Sequence, residues 1–310
     1  MAEKRRTRRW LVVLAVALVI PLLWWFGMGR PVAYGTLTGV LPVGDSTVPG
    51  VRYEEVALAT SSGRTLRCMV RSPTGQAPGV RRPALLVAGG HRTGRRAVRY
   101  LGAAFAGTAI ACDYQWAPRI RRSWPLVALG FPSIRAELVA TPDVLRIASA
   151  YLMTRTDVDT TRFAGVGASL GVPLVAAWAS RDTVPRAVAL VYGGGLIDRQ
   201  IEIEADEGHL WPWLGRLLGG LAGKVFADLE PTRTVPGIAP RPVLVIGSRD
   251  DQRVPVEGVQ ALFDAAGDPK KIIWLGGTHL RPRDEELLQI LADSSLVWLE
   301  EVLPARWREP

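Results

Sequence analysis

Three short stretches carry residue types that can do chemistry. Gly167-Ala168-Ser169-Leu170-Gly171 has the spacing G-x-S-x-G. A serine becomes an effective nucleophile where a tight turn lifts its hydroxyl clear of the backbone, and small neighbours are what such a turn needs. Ser248-Arg249-Asp250-Asp251 offers two carboxylates. Either can orient an imidazole and stabilise its protonated form. Gly276-Gly277-Thr278-His279 ends in one of only three histidines in the chain. An imidazole there can take a serine proton while the oxygen attacks a carbonyl carbon.

These residues need elements to position them, and the hydrophobic pattern supplies candidates. Val51 to Arg71 alternates apolar and polar residues around Ser61-Ser62-Gly63, which predicts a β-hairpin. Short apolar runs at Ala84–Ala88, Ala109–Cys112, Arg162–Val166, Ala187–Tyr192, Val243–Ile246 and Lys271–Leu275 predict buried strands. Helical stretches are expected at Arg95–Phe105, Val144–Met153, Leu170–Ser180, Val256–Ala266 and Asp284–Val302. Such alternation predicts an α/β fold, a mostly parallel central sheet with helices on both faces. Open sheets of this kind place ligands beyond the carboxyl ends of their strands. The serine, the acids and the histidine all follow predicted strands.

The stretch Asp251-Gln252-Arg253-Val254-Pro255 resembles the Asp-x-x-Val-Pro found after the corresponding strand in the α/β-hydrolase superfamily. The likeness is to its serine-esterase, dienelactone-hydrolase-like and related peptidase branches. The resemblance implies Asp251 as the acid, with Asp250 one residue out of step. His91 precedes the serine and His209 lies between the serine and the acids. Only Ser169, Asp251 and His279 therefore give the chain order serine, acid, histidine that this fold uses. The oxyanion donors expected of it are the amide of Leu170, next after the serine, and one from the turn after an earlier strand. That turn, Gly89-Gly90-His91-Arg92-Thr93-Gly94, resembles the superfamily's His-Gly-x turn with Gly89 in place of the histidine. The second donor is then His91 or Arg92, with His91 at the matching position. The resemblance implies hydrolysis of a small-molecule carboxylic ester through an acyl-enzyme, without cofactor or metal. A peptidase, a thioesterase or an inactive binding protein of the same fold are the alternatives.

Between Tyr192 and Val243 lies an insert of about fifty residues, where this superfamily carries a cap. A short helical cap is expected over about 196–235. Its stretch His209-Leu210-Trp211-Pro212-Trp213-Leu214 suits an acyl pocket, a bilayer contact or plain packing on the core. Arginines at 92, 95, 96 and 99, and again at 119, 121 and 122, form either a rim for an anionic ligand or a solvated basic face.

Of the formal charge of +9, the first nine residues contribute +4, with five basic residues and one acidic, and the remaining +5 is spread over the chain. The remaining basic residues lack the aromatic interleaving of a nucleic-acid module, so no nucleic-acid partner is expected. From Trp10 to Met28 no residue is charged. Nineteen residues at 1.5 Å each come to about 28 Å, the thickness of a bilayer's hydrocarbon layer. Tryptophans at both ends suit its interfaces. The expected organisation is a basic cytoplasmic tail at 1–9, a transmembrane anchor at 10–28, a linker at 29–50 and the hydrolase domain at 51–310. The positive-inside rule then puts that domain on the extracytoplasmic side, with a secreted enzyme as the alternative. Cys68 and Cys112, the only two cysteines, fall on predicted strands. Two small buried thiols are expected in preference to a disulfide.

Overall fold

Short apolar strands broken by turns assemble into one nine-stranded sheet, in the order β1-β2-β3-β5-β4-β6-β7-β8-β9. The strands are β1 (Leu37–Val48), β2 (Val51–Thr60), β3 (Thr65–Pro73), β4 (Arg82–Ala88), β5 (Thr108–Cys112), β6 (Val158–Ala168), β7 (Ala187–Val191), β8 (Val243–Ser248) and β9 (Lys270–Leu275). A computed structural model of the chain describes residues 32–75, 79–101, 105–120, 124–207, 211–281, 283–303 and 307–308. The basic tail 1–9, the apolar run Trp10–Met28, and His209 and Leu210 of the insert lie outside the described residues. Among the described residues no helix is long and apolar enough to cross a membrane.

Strands β4 to β9 run parallel, and β1, β2 and β3 pair antiparallel along one edge. Both faces are covered, as the near-continuous apolar character of the strands requires. Alternate residues of β4 show the division. Leu86 belongs to a core with α2 (Thr141–Thr154), α3 (Gly171–Ala179) and α6 (Val256–Ala265), whereas Leu85 and Val87 face the other side. There they meet a 3₁₀ helix at Gly94–Leu101, α7 (Glu285–Val302) and Trp307. Helix α1 (Trp124–Val139), which carries Pro132 in its middle, precedes α2 and has no counterpart in the predicted elements. The stretch expected as a helix over Arg95–Phe105 is the shorter 3₁₀ segment instead.

The structured chain begins earlier than the expected linker allows. Tyr34 is fully buried, and its hydroxyl donates to Glu137, which also accepts from Arg64 at 2.7 Å. Burial first, then the neighbouring carboxylate, pushes the Tyr34 phenol well above its ordinary value. Leu37–Val48 then forms β1, hydrogen-bonded to β2 with interruptions in register between Leu37 and Gly39 and between Pro42 and Gly44. Residues 37–48 are therefore sheet, and a linker over 29–50 is incorrect for that part.

The insert after β7 folds as two helices, α4 (Ile197–Glu207) and α5 (Pro212–Val225), packed on each other. Gly215, Gly219 and Gly223 line one side of α5 and let it approach α4 closely. A β-carbon on Gly219 would stand 2.5 Å from the carbonyl oxygen of Asp198. Both ends of the insert meet at one carboxylate. Glu230 accepts from the amides of Leu196 and Ile197 at 3.0 and 2.9 Å and from that of Thr232 at 3.1 Å.

Cys68 and Cys112 face each other directly across β3 and β5 and are joined by a disulfide, contrary to the expectation of two free thiols. The register of that antiparallel pair brings the side chains together on the same face, which local sequence does not reveal. The bond closes a loop of 44 residues, and tying such a loop in the unfolded chain stabilises by about 4 kcal/mol. The double substitution Cys68→Ser/Cys112→Ser is expected to lower the free energy of unfolding by about that amount in a denaturant titration. Unreduced, denatured wild-type protein should show no titratable thiol.

Candidate functional site

The site is built where β6 hands over to α3. The chain turns so sharply after Ala168 that Ser169 takes φ +53°, a left-handed conformation that side chains rarely adopt. Two backbone hydrogen bonds hold it there. The Ser169 amide donates to the carbonyl of Val191 at 2.9 Å, and the Val172 amide donates to the carbonyl of Ser169 at 2.9 Å. The turn also presses strand and helix together. A β-carbon on Gly171 would stand 1.8 Å from the carbonyl oxygen of Ala88, at the end of β4. One on Gly167 would stand 2.6 Å from the carbonyl oxygen of Gly171. Both flanking glycines of the G-x-S-x-G stretch are thus required by contact.

The loop after β8 supplies the acid. Asp251 is buried, and its Oδ1 accepts the amides of Arg253 at 2.9 Å and Val254 at 3.1 Å. These bonds fix the carboxylate so that Oδ2 and Oδ1 lie 2.8 and 3.1 Å from His279 Nδ1. On the other side of the ring, Nε2 lies 3.0 Å from Ser169 Oγ. The structure thus brings Ser169, His279 and Asp251 into one hydrogen-bonded chain. Asp250, the competing acid, is exposed and accepts from the Gly277 amide of the histidine loop at 3.4 Å.

Two residues that the sequence reading passed over hold the histidine loop. Tyr192 follows β7 with φ +51°, and its hydroxyl donates to the carbonyl of Gly276 at 2.8 Å. Burial raises the phenol above its ordinary value, which keeps that donor protonated. Ser248, at the end of β8, donates to the carbonyl of Gly277 at 2.5 Å. The signal for both was positional. Each stands at the carboxyl end of a parallel strand beside the site, where side chains reach neighbouring loops.

The remaining expected residues fall as follows. Leu170 precedes the first turn of α3, with its amide at that helix's positive end. His91 and Arg92 line the same cavity as Ser169 and His279, and Arg92 Nε donates to His91 Nε2 at 3.1 Å. Arg95 is committed elsewhere, paired with Asp113 and, at 3.4 Å, with Glu55. Arg99 lies over the ring of Tyr53. Arg121 and Arg122 are outside the described residues. Among the described residues, no group of three His, Cys, Asp or Glu side chains is placed to hold a metal ion. Among the described residues, none of the α4–α5 insert lines the cavity.

The sequence matches no family model and no curated protein. Solved structures give likeness of fold. An acetyl xylan esterase from a Paenibacillus species superposes with a TM-score of 0.65 at 16% identity, covering 91% of this chain and 94% of that one. Acetyl xylan esterase 1 from a Thermoanaerobacterium species gives 0.59 at 16% identity, over 91% and 93% of the two chains. A puromycin-hydrolysing peptidase from Mycobacterium tuberculosis gives 0.56 at 18% identity, over 82% of this chain and 46% of that one.

The crowding at the turn makes a direct prediction. Gly171→Ala is expected to destabilise the fold by about 3 kcal/mol or more, because a backbone carbonyl cannot move aside as a side chain can. A large drop in melting temperature, or loss of soluble protein, checks it.

Proposed function

The chain has the α/β-hydrolase fold, and on that basis we propose that the protein is a serine hydrolase cleaving a carboxylic ester. The observation that carries the reading is the hydrogen-bonded chain from Ser169 through His279 to Asp251, next to a cavity. With its Nδ1–H donated to Asp251, His279 presents Nε2 as the base for the Ser169 hydroxyl. The proton passes to Nε2 as the oxygen bonds to the ester carbonyl carbon. The developing oxyanion accepts from the Leu170 amide and from the amide of His91 or Arg92. The bond to the alcohol oxygen then breaks, and that oxygen takes the proton from His279. Water repeats the sequence: its proton goes to His279, its oxygen bonds to the acyl carbon, and the acid leaves as Ser169 recovers its hydrogen. No cofactor enters any of these steps.

Ser169→Ala is expected to abolish labelling by a fluorophosphonate probe and to lower kcat for a 4-nitrophenyl ester by at least about 10⁴-fold. Asp251→Asn should lower it by about 10³- to 10⁴-fold, whereas Asp250→Asn should cost less than about tenfold. If the two asparagine variants fall equally, the assignment of the acid fails. An activity screen across esters, amides and thioesters identifies the acyl bond.

The reading extends to where the enzyme works. Trp10–Met28, preceded by five positive charges, serves as an uncleaved membrane anchor with the hydrolase domain on the extracytoplasmic side. The Cys68–Cys112 disulfide supports this reading, since such bonds persist in oxidising compartments. The full-length protein should remain with membranes through an alkaline wash, and a chain starting at residue 32 should be released. A mature protein whose N-terminus begins beyond residue 28 overturns the anchor.

A further inference from the structure

The cavity beside Ser169 has a volume of about 800 Å³ and reaches the flank of the sheet covered by the 3₁₀ helix and α7. Its walls are Leu85 and Val87 of β4, Ala97 and Leu101 of the 3₁₀ helix, and Leu291 and Leu296 of α7. These six side chains belong to the hydrophobic core on that face and keep little exposure, so the apolar end of the slot lies between core elements. Leu85 lies three residues before the end of β4, which at about 3.3 Å per residue puts the slot's floor about 10 Å below the strand ends. An extended alkyl chain built from bonds of about 1.5 Å advances about 1.25 Å per bond, so about eight carbons span that depth. Each methylene moved from water into such a wall tightens binding by about fourfold.

The mouth has the opposite character. Each of three loops that bring a polar residue to the site also brings arginine: Arg92 beside His91, Arg253 two residues after Asp251, and Arg281 and Arg283 after His279. All four contribute to the cavity's lining, and among the described residues that lining contains no Asp or Glu. Arg253 approaches Glu204 at 3.9 Å, but both side chains are half exposed, a geometry in which ion pairs contribute little. A cluster of guanidinium groups at a cleft draws anions and can bind phosphate through paired N–H donors.

We propose, resting on the serine-hydrolase reading, that the substrate is an ester joining a medium-length unbranched acyl chain to an alcohol that bears a negative charge. The acyl chain occupies the slot between the 3₁₀ helix and α7. The charged alcohol stays at the mouth among Arg92, Arg253, Arg281 and Arg283. Hydrolysis consumes one water: its oxygen and one hydrogen leave on the acyl group as a carboxylic acid, its other hydrogen restores the Ser169 hydroxyl, and the alcohol leaves with the hydrogen that Ser169 gave up.

The test uses the full-length protein and two substrate series. Across 4-nitrophenyl esters from acetyl to decanoyl, kcat/KM should rise at least about thirtyfold to a maximum near octanoyl. Ala292→Phe, which places a ring in the slot from α7, should lower the octanoyl-to-acetyl ratio at least about tenfold. Leu288→Trp is a second obstruction from the same helix, should the first variant fail to fold. In the second series, 1-octanoylglycerol 3-phosphate should be preferred about tenfold over 1-octanoylglycerol at low ionic strength. That preference should shrink towards unity in 0.5 M salt, where the screening length is only a few ångströms. It should also shrink in Arg281→Gln/Arg283→Gln. A flat chain-length profile, or a ratio that neither obstruction moves, overturns the acyl slot. Equal hydrolysis of the neutral and phosphorylated esters overturns the anionic mouth. If Ser169 is labelled by a fluorophosphonate in either case, only this proposal falls. Absence of labelling and of all ester hydrolysis overturns the hydrolase reading together with it.

Discussion

Ser169 can hold its left-handed turn only because everything around it has been cut down to fit. Strand β6 must end, the chain must reverse, and α3 must start within a few residues. The turn leaves no room for a side chain at Gly167 or Gly171, the latter directly against the carbonyl of Ala88. In exchange, the hydroxyl stands at the sheet's carboxyl edge and the following amide opens a helix. The other strands are arranged about this point: β4 forms the floor under Gly171, β7 supplies the carbonyl that receives the Ser169 amide, and β8 and β9 send out the loops with Asp251 and His279. The chain stores strain at Ser169, and the parallel sheet around it is stiff enough to keep it there.

The histidine loop shows how such stiffness is passed on. His279 follows Gly276 and Gly277, which by themselves would leave it free to wander. Tyr192 and Ser248 remove that freedom by donating to the two glycine carbonyls. The imidazole is therefore oriented from two sides, by a carboxylate on its ring and by hydroxyl groups on its backbone.

Periodicity in the sequence was enough to recover β4 to β9 and the helices α2, α3, α6 and α7, because each is a run of apolar residues that must be covered. The three residues of the hydrogen-bonded chain were legible for a related reason, since each follows such a strand. What escaped has physical causes. Strand β1 is exposed along most of its length and contains Gly39, Pro42 and Gly44, so it joins the sheet by backbone pairing without an apolar face to announce it. The disulfide depends on the register between β3 and β5, strands 44 residues apart, which neither segment encodes alone. Helix α1 carries a proline in its interior and little amphipathic pattern. The slot beside Ser169 lies between a 3₁₀ turn near residue 97 and a helix near residue 291, and no local pattern reports a gap between segments so far apart.

Glu230 joins the start and the finish of the α4–α5 insert, so the two ends of that excursion meet on a single carboxylate. A segment whose two ends are gathered at one carboxylate enters and leaves the sheet at nearly the same place. Its length, its helices and its exposed tryptophans can be rewritten without altering the spacing of β7 and β8. The same scaffold can therefore exchange this piece of surface, and whatever touches it, while the reacting residues stay where they are.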